Sequence, residues 1–156
     1  MTKWVNEDGL EVWFNLTRVE VKKSGSTSAE PKVAAFDIDA EDLAATGNVD
    51  LNDSDDNVIP AGAYITKASI AVETAFTSGG SATLTIGLIE ADGTVIDADG
   101  IDASIALAAL GADKAVACDG ALVGGTALVA EDAKLRLTVG TAGYTAGKAR
   151  LMVEYI

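Results

Sequence analysis

The side chains of this sequence that could do chemistry are mostly carboxylates, and their densest group lies in residues 50–57. Asp50, Asp53, Asp55, Asp56 and Asn57 offer oxygen ligands within eight positions. Ca²⁺ takes six to eight such oxygens. The spacing is not that of an EF-hand, because no Gly stands sixth and no Glu twelfth. We therefore favour a solvated acidic loop and keep a calcium site as the alternative.

A second acidic stretch, residues 97–102, contains Asp97, Asp99 and Asp102 around Gly100. Its Asp-Gly pair, like Asp92-Gly93 earlier in the chain, has the composition of a hairpin turn. A metal site here would need ligands from other loops. The sequence therefore predicts turns at both places.

Catalytic machinery is not indicated. The chain has no His, which removes every His-based triad, His general base and His metal site. Cys118 is the single cysteine, so it has neither a His partner nor a disulfide partner. Gly79-Gly80 and Gly124-Gly125 are not followed by the Lys-Ser/Thr of a phosphate loop. We predict no catalytic, cofactor-binding or metal-binding residue, and hence no enzyme and no cofactor.

The composition narrows the class of partner. Eleven basic against 24 acidic residues give a net charge of −13, which disfavours a nucleic-acid partner. The N-terminus lacks the apolar stretch of a signal peptide, and no run is long and apolar enough to span a bilayer. We expect one domain at 156 residues, with neither a nucleic-acid nor a membrane partner. With 28 Ala and 16 Gly, the apolar residues are mostly small and suit sheets packed in thin layers.

Alternating apolar and polar residues predict short strands along most of the chain. Turn signals recur every 8–12 residues, including a hairpin turn at Gly79-Gly80. In residues 101–110 the spacing of Ile101, Ile105 and the alanines predicts a helix capped by Gly111. The predicted strands lie in residues 10–21, 33–39, 64–77, 82–89, 94–96, 114–123, 134–139 and 148–156. The expected inward residues include Val33, Ala35 and Ile38.

These elements add up to an all-β fold, an antiparallel β-sandwich or jelly roll with a short N-terminal arm and at most one short helix. Residues 1–50 are expected to form the arm and first strands, and residues 51–156 the sandwich body. Trp13 falls on the polar face of its strand, which suits a partner surface. We predict an interface with a partner or with another subunit at Trp4, Leu10, Val12, Trp13 and Phe14.

Several stretches together resemble a known family of virion proteins. The opening W-V-N-E-D-G-L-E-V-W-F of residues 4–14 is one, and I-P-A-G-A-Y-I-T-K-A-S-I of residues 59–70 is another. Residues 75–88, 122–126 and 143–153 continue the likeness. The sequence is similar to small structural proteins of tailed bacteriophages, whose members include capsid decoration (cement) proteins.

The resemblance implies a subunit that binds the assembled head lattice and stabilises it. Its expected partners are the major capsid protein and further copies of itself, commonly in a homotrimer. It would be made in the host cytoplasm and end on the capsid surface of the virion. No catalytic residues carry over, and the acidic residues 50–57 are not part of the family pattern.

Three other functions compete with this one. A virion fibre or knob could bind host glycans through Trp13, Tyr144 and Ca²⁺-loaded acidic loops. A tail or connector component could use the same fold. A cell-wall-degrading enzyme is the least supported, because no catalytic constellation is found. The basic residues of the last strands also predict a less acidic face toward a partner. These residues are Lys134, Arg136, Lys148 and Arg150.

Overall fold

The alternating sequence folds almost entirely into strands. A computed structural model describes residues 30–51 and 58–156, and describes residues 2–5 and 11–14 by their backbone. The strands are β1 (Thr2–Val5), β2 (Glu11–Phe14), β3 (Lys32–Asp39), β4 (Gly47–Asp50), β5 (Ile65–Ser78), β6 (Thr83–Ile89), β7 (Val95–Ala106), β8 (Ala115–Ala117), β9 (Lys134–Gly140) and β10 (Tyr144–Tyr155). A 3₁₀ turn, Leu107–Ala109, follows β7. Among the described residues no helix is long and apolar enough to cross a membrane.

Eight of these strands form two four-stranded antiparallel sheets. The first sheet has the order β3-β10-β5-β8, and the second has the order β4-β9-β6-β7. The pairing is nested: β3 lies beside β10, β4 beside β9, β5 beside β8 and β6 beside β7. This is the topology of a double-sheet jelly roll. The predicted all-β sandwich is confirmed.

The core lies between the inward faces of the two sheets. The predicted alternation is confirmed on β9, on residues 68–72 of β5, on the buried Leu84, Ile86 and Leu88 of β6, and on residues 149–153 of β10. In these stretches the residue at every second position is buried. On β3 the predicted inward positions are wrong at Val33 and Ala35 and right at Ile38. Ala34, Phe36 and Ile38 point inward, whereas Val33 is 58% exposed. A shift of one position exchanges the two faces of a strand.

The helix predicted for residues 101–110 is also wrong. β7 continues to Ala106, and only the 3₁₀ turn of three residues follows it. Ile101 and Ile105 are both buried, and a spacing of four places two residues on the same face of a strand as well as of a helix. Pairing with β6 therefore prevails over the helical propensity of the alanines and leucines.

The acidic stretch of residues 97–102 is a bulge of β7 and not a hairpin turn. Leu88 pairs with Asp97 and Ile86 with Asp102, so Gly87 alone opposes residues 98–101. A Cβ at Gly87 would overlap the carbonyl oxygens of Asp97 and Ala98. The bulge therefore requires a glycine on the facing strand.

The other two predicted turns differ in outcome. At Asp92-Gly93 the turn between β6 and β7 is confirmed, with Gly93 at a φ of +91° and its amide donating to the carbonyl of Glu90. At Gly79-Gly80 the chain does turn, but β5 and β6 lie in different sheets. That connection crosses between the sheets and does not close a hairpin.

Replacing Gly87 with Ala should lower the free energy of unfolding by about 1–3 kcal/mol, because the new Cβ overlaps the backbone of the bulge. Gly79→Ala is the matched control, since a Cβ there meets no atom within 4 Å. Denaturant unfolding of the three proteins measures the difference. Equal losses in the two variants would contradict the close approach of β7 to Gly87.

Candidate functional site

The first predicted chemical group, the acidic residues 50–57, is only partly described. Asp53, Asp55, Asp56 and Asn57 lie outside the described residues, so the calcium hypothesis stays a prediction. Asp50 ends β4, directly opposite Arg136 on β9. The Arg136 Nε and Nη2 donate to Asp50 Oδ1 and Oδ2 at 2.5 and 2.9 Å.

That bidentate pair has a clear electrostatic consequence. The hydrogen bonds from Arg136 hold the pKa of Asp50 below its ordinary value. Arg136 and Asp50 are each at least two-thirds buried in their side chains. The Asp50 carboxylate is therefore committed to a structural contact between two strands.

Two further ion pairs join β3 to β10 in the same way. Arg150 Nε donates to Asp37 Oδ1 at 2.8 Å, and Lys148 Nζ lies 3.1 Å from Asp39 Oδ1. In both cases the partners are directly opposite in the strand register. Each of these four side chains is more than 40% exposed. The hydrogen bond from Arg150 lowers the pKa of Asp37.

These ion pairs involve three of the four basic residues that predicted a less acidic face. Arg136, Lys148 and Arg150 each contact an aspartate on the neighbouring strand. Their charges are therefore compensated within the chain. Such compensated pairs are compatible with a less acidic face, and its orientation toward a partner stays a prediction.

The second acidic stretch contains the one buried charged residue of the described part of the chain, Asp102, which is 5% exposed. The amide of Ser104 donates to its Oδ1 at 3.0 Å. Burial, and then the neighbouring charge of Asp119, raise the pKa of Asp102. The sequence reading missed this residue because it placed Asp102 in an exposed turn.

Cys118 is buried beside the same carboxylates. Burial, together with Asp102 and Asp119, raises the pKa of its thiol to about 12. A thiol that stays protonated at neutral pH is a poor nucleophile and a poor metal ligand. Within the described ranges, no three Cys, Asp or Glu side chains are placed to hold a metal ion together.

The glycan hypothesis requires Tyr144 to lie in an exposed loop, but the structure places it elsewhere. It begins β10, is 1% exposed, and packs edge-on against Phe76 with ring centroids 5.3 Å apart. Its hydroxyl is buried without a hydrogen-bond partner among the described residues, and burial raises its pKa to about 12. A surface sugar therefore has no access to this ring.

A groove of the described surface lies beside the start of β10. It has a volume of about 660 Å³ and is open to solvent. Asp39, Glu41, Thr74 and Lys148 contribute its polar lining, and Lys148 and Asp39 already contact each other.

The predicted interface residues lie mostly on a separate two-stranded ribbon, β1–β2. Trp4 pairs with Val12, Lys3 with Trp13 and Thr2 with Phe14. Opposite residues of an antiparallel pair share a face, so the register places Trp4, Val12 and Phe14 together and Trp13 on the other face. Leu10 lies outside the described residues. Among the strands that the structure describes, β1 and β2 pair only with each other.

Comparison with solved structures places this architecture among phage capsid chains. A chain of the capsid of Ralstonia phage GP4 matches with a TM-score of 0.57 and 16% identity, covering 82% of this chain and 84% of that chain. The acidic stable capsid structure of Helicobacter pylori bacteriophage KHP30 gives 0.54 and 16%, covering 80% and 86%. The cyanophage Pam1 capsid asymmetric unit gives 0.52 and 18%, covering 90% and 95%.

These likenesses establish a shared fold. No protein-family model and no curated protein matches the sequence.

A double-mutant cycle on Arg136→Ala and Asp50→Ala should give a coupling energy of about 1 kcal/mol, because the pair is bidentate and shielded. The exposed pair Arg150 and Asp37 should couple less strongly. Denaturant unfolding at neutral pH measures both cycles. Since the pKa of Asp50 is lowered, its contribution is present above pH 3.8 and is lost as the pH falls through the lowered value. A coupling that persists in strong acid would contradict an ionic interaction.

Proposed function

We propose that this protein is a structural component of a bacteriophage capsid, and that it binds the assembled head lattice as a decoration protein. The observation that carries the proposal is the eight-strand jelly roll, which it shares over at least 80% of its length with chains from three phage capsids. The resemblance of residues 4–14 and 59–70 to phage virion proteins supports the same conclusion.

The core and the side-chain contacts of the described residues fit a structural role. Its core is continuous between two sheets, its single cysteine is buried, and Arg136 is paired with Asp50. Its partners under the proposal are the major capsid protein and further copies of itself in a trimer. The net charge of −13 would keep decorated particles apart by like-charge repulsion.

The β1–β2 ribbon is the proposed contact element. A two-stranded ribbon is marginally stable alone in water and gains stability when an apolar face is covered. The backbone register brings Trp4, Val12 and Phe14 to one face, and both tryptophans of the chain lie in this ribbon. Addition of such a segment to a neighbouring subunit is a common mode of recognition.

Microscopy of purified virions at subnanometre resolution tests the proposed location. We expect density of this chain on the coat lattice at three-fold positions, with binding to assembled heads and none to unassembled coat subunits. Density confined to the tail or to one vertex would end the decoration proposal and favour a fibre or a connector component.

Replacing the three ribbon aromatics (Trp4→Ala, Trp13→Ala, Phe14→Ala together) should weaken binding to purified heads by roughly tenfold or more, since buried Trp residues dominate interface energies. The melting temperature of the sandwich should hardly change, because in the described part of the chain β1 and β2 pair with each other and not with the two large sheets. Co-sedimentation with heads measures the binding.

Leu128→Ala is the matched control for that experiment. Leu128 is 56% exposed on the sandwich, so the change removes an exposed apolar side chain outside the ribbon. Binding should stay at the level of the unmodified protein. Full binding by the ribbon variant would show that the contact lies elsewhere, without bearing on the location of the protein on the virion.

A further inference from the structure

β7 is the edge strand of the second sheet, and residues 118–123 cover its outer edge. We call this segment, which bridges the two sheets, the edge cover. The amide of Gly120 donates to the carbonyl of Ile101 at 2.8 Å, and the amide of Leu122 donates to that of Gly100 at 2.9 Å. At its start, the amide of Cys118 donates to Ala68 of β5 at 3.0 Å. The edge cover therefore ties the edge of the second sheet to the first.

The contact between the edge cover and β7 is close. A Cβ at Gly120 would overlap the backbone of Gly100 and Ile101. A Cβ at Gly100 would stand 2.6 Å from a methyl group of Leu122. The backbones of the edge cover and β7 are therefore in direct contact at this junction.

Asp102 lies at this junction and touches both sides of it. Its carboxylate accepts the amide of Ser104 on its own strand and the amide of Asp119 on the edge cover. It is nevertheless 5% exposed, and ionisation of a carboxyl at such a site is costly.

The groups around Asp102 add to that cost. The edge cover presents a second carboxylate, Asp119, and the thiol of Cys118. β6 presents Ile86 opposite, which has no charge to offer. On β7 itself, the other titratable groups of the bulge are Asp97 and Asp99.

We propose that the edge cover is a pH-sensitive latch, closed over the edge of β7 when Asp102 is protonated and loosened when Asp102 is ionised. Opening frees the carbonyl groups of Gly100 and Ile101 at the edge of the second sheet. Acid therefore seals this edge, and neutral pH makes it easier to open.

The sign follows from linkage. The raised pKa of Asp102 in the closed form means that the closed form binds a proton more tightly than the opened, solvated form. Closure is fully favoured below the ordinary value of 3.8. Its advantage declines as the pH rises from there through the raised pKa.

Amide hydrogen exchange of the full chain, followed residue by residue by NMR, tests the latch. After correction for intrinsic rates, protection of the Gly120 and Leu122 amides should fall roughly tenfold or more between about pH 4 and about pH 7. The amide of Leu137, on a strand paired on both sides, serves as the internal reference and should keep its protection.

Variants separate the latch from general charge effects. Asp102→Asn should abolish the pH dependence at Gly120 and Leu122, and Asp119→Asn should move it to lower pH. Asp99→Asn removes an exposed charge from the same strand and should leave it unchanged. A pH-independent protection in the unmodified protein, or the same pH dependence in Asp102→Asn, would overturn the proposal. If Asp102→Asn does not fold, the proposal is overturned when Asp119→Asn shows the same pH dependence of amide protection as the unmodified protein.

Discussion

The rest of the structure depends on one constraint: the first two strands of the sandwich in sequence pair with its last two strands. β3 pairs with β10 and β4 pairs with β9. In sequence, these two pairs enclose the other strand pairs of the sandwich, so we call them the outer pairs. Arg150 and Asp37 are 113 residues apart in sequence, and Arg136 and Asp50 are 86 apart. Such loops are entropically costly to close, though the cost grows slowly with length.

The ion pairs within the described residues mark this closure. They connect directly opposite residues of the two outer strand pairs, so they are satisfied in one register. A slip of one residue would separate the charges and also turn Phe36 and Ile38 toward water. Their main effect is thus on which register forms, since exposed pairs contribute little to stability.

Much of the core, but little of the topology, could be predicted from the sequence. Alternation identified the inward residues of β5 and β9, because a half-buried strand repeats every two residues. It failed on β3, where Val33 and Ala34 are both apolar and the sequence alone does not choose between the two faces. It also failed on β7, where a four-residue spacing fits a helix and a strand equally. The connection at Gly79-Gly80 and the burial of Asp102 depend on contacts with residues distant in sequence, which no local pattern encodes.

The edges of the two sheets indicate how the proposed assembly would be made. β8 has three residues and β4 has four, and the edge of β7 is covered by residues 118–123. Short or covered edges resist pairing with other chains. The sandwich is therefore poorly suited to add strands from a neighbour at these three edges. The β1–β2 ribbon has the opposite character, since it is a separate sheet and holds both tryptophans. Under the proposed role the sandwich, with three of its four edges short or covered, holds the ribbon, and the ribbon makes the contact with the capsid.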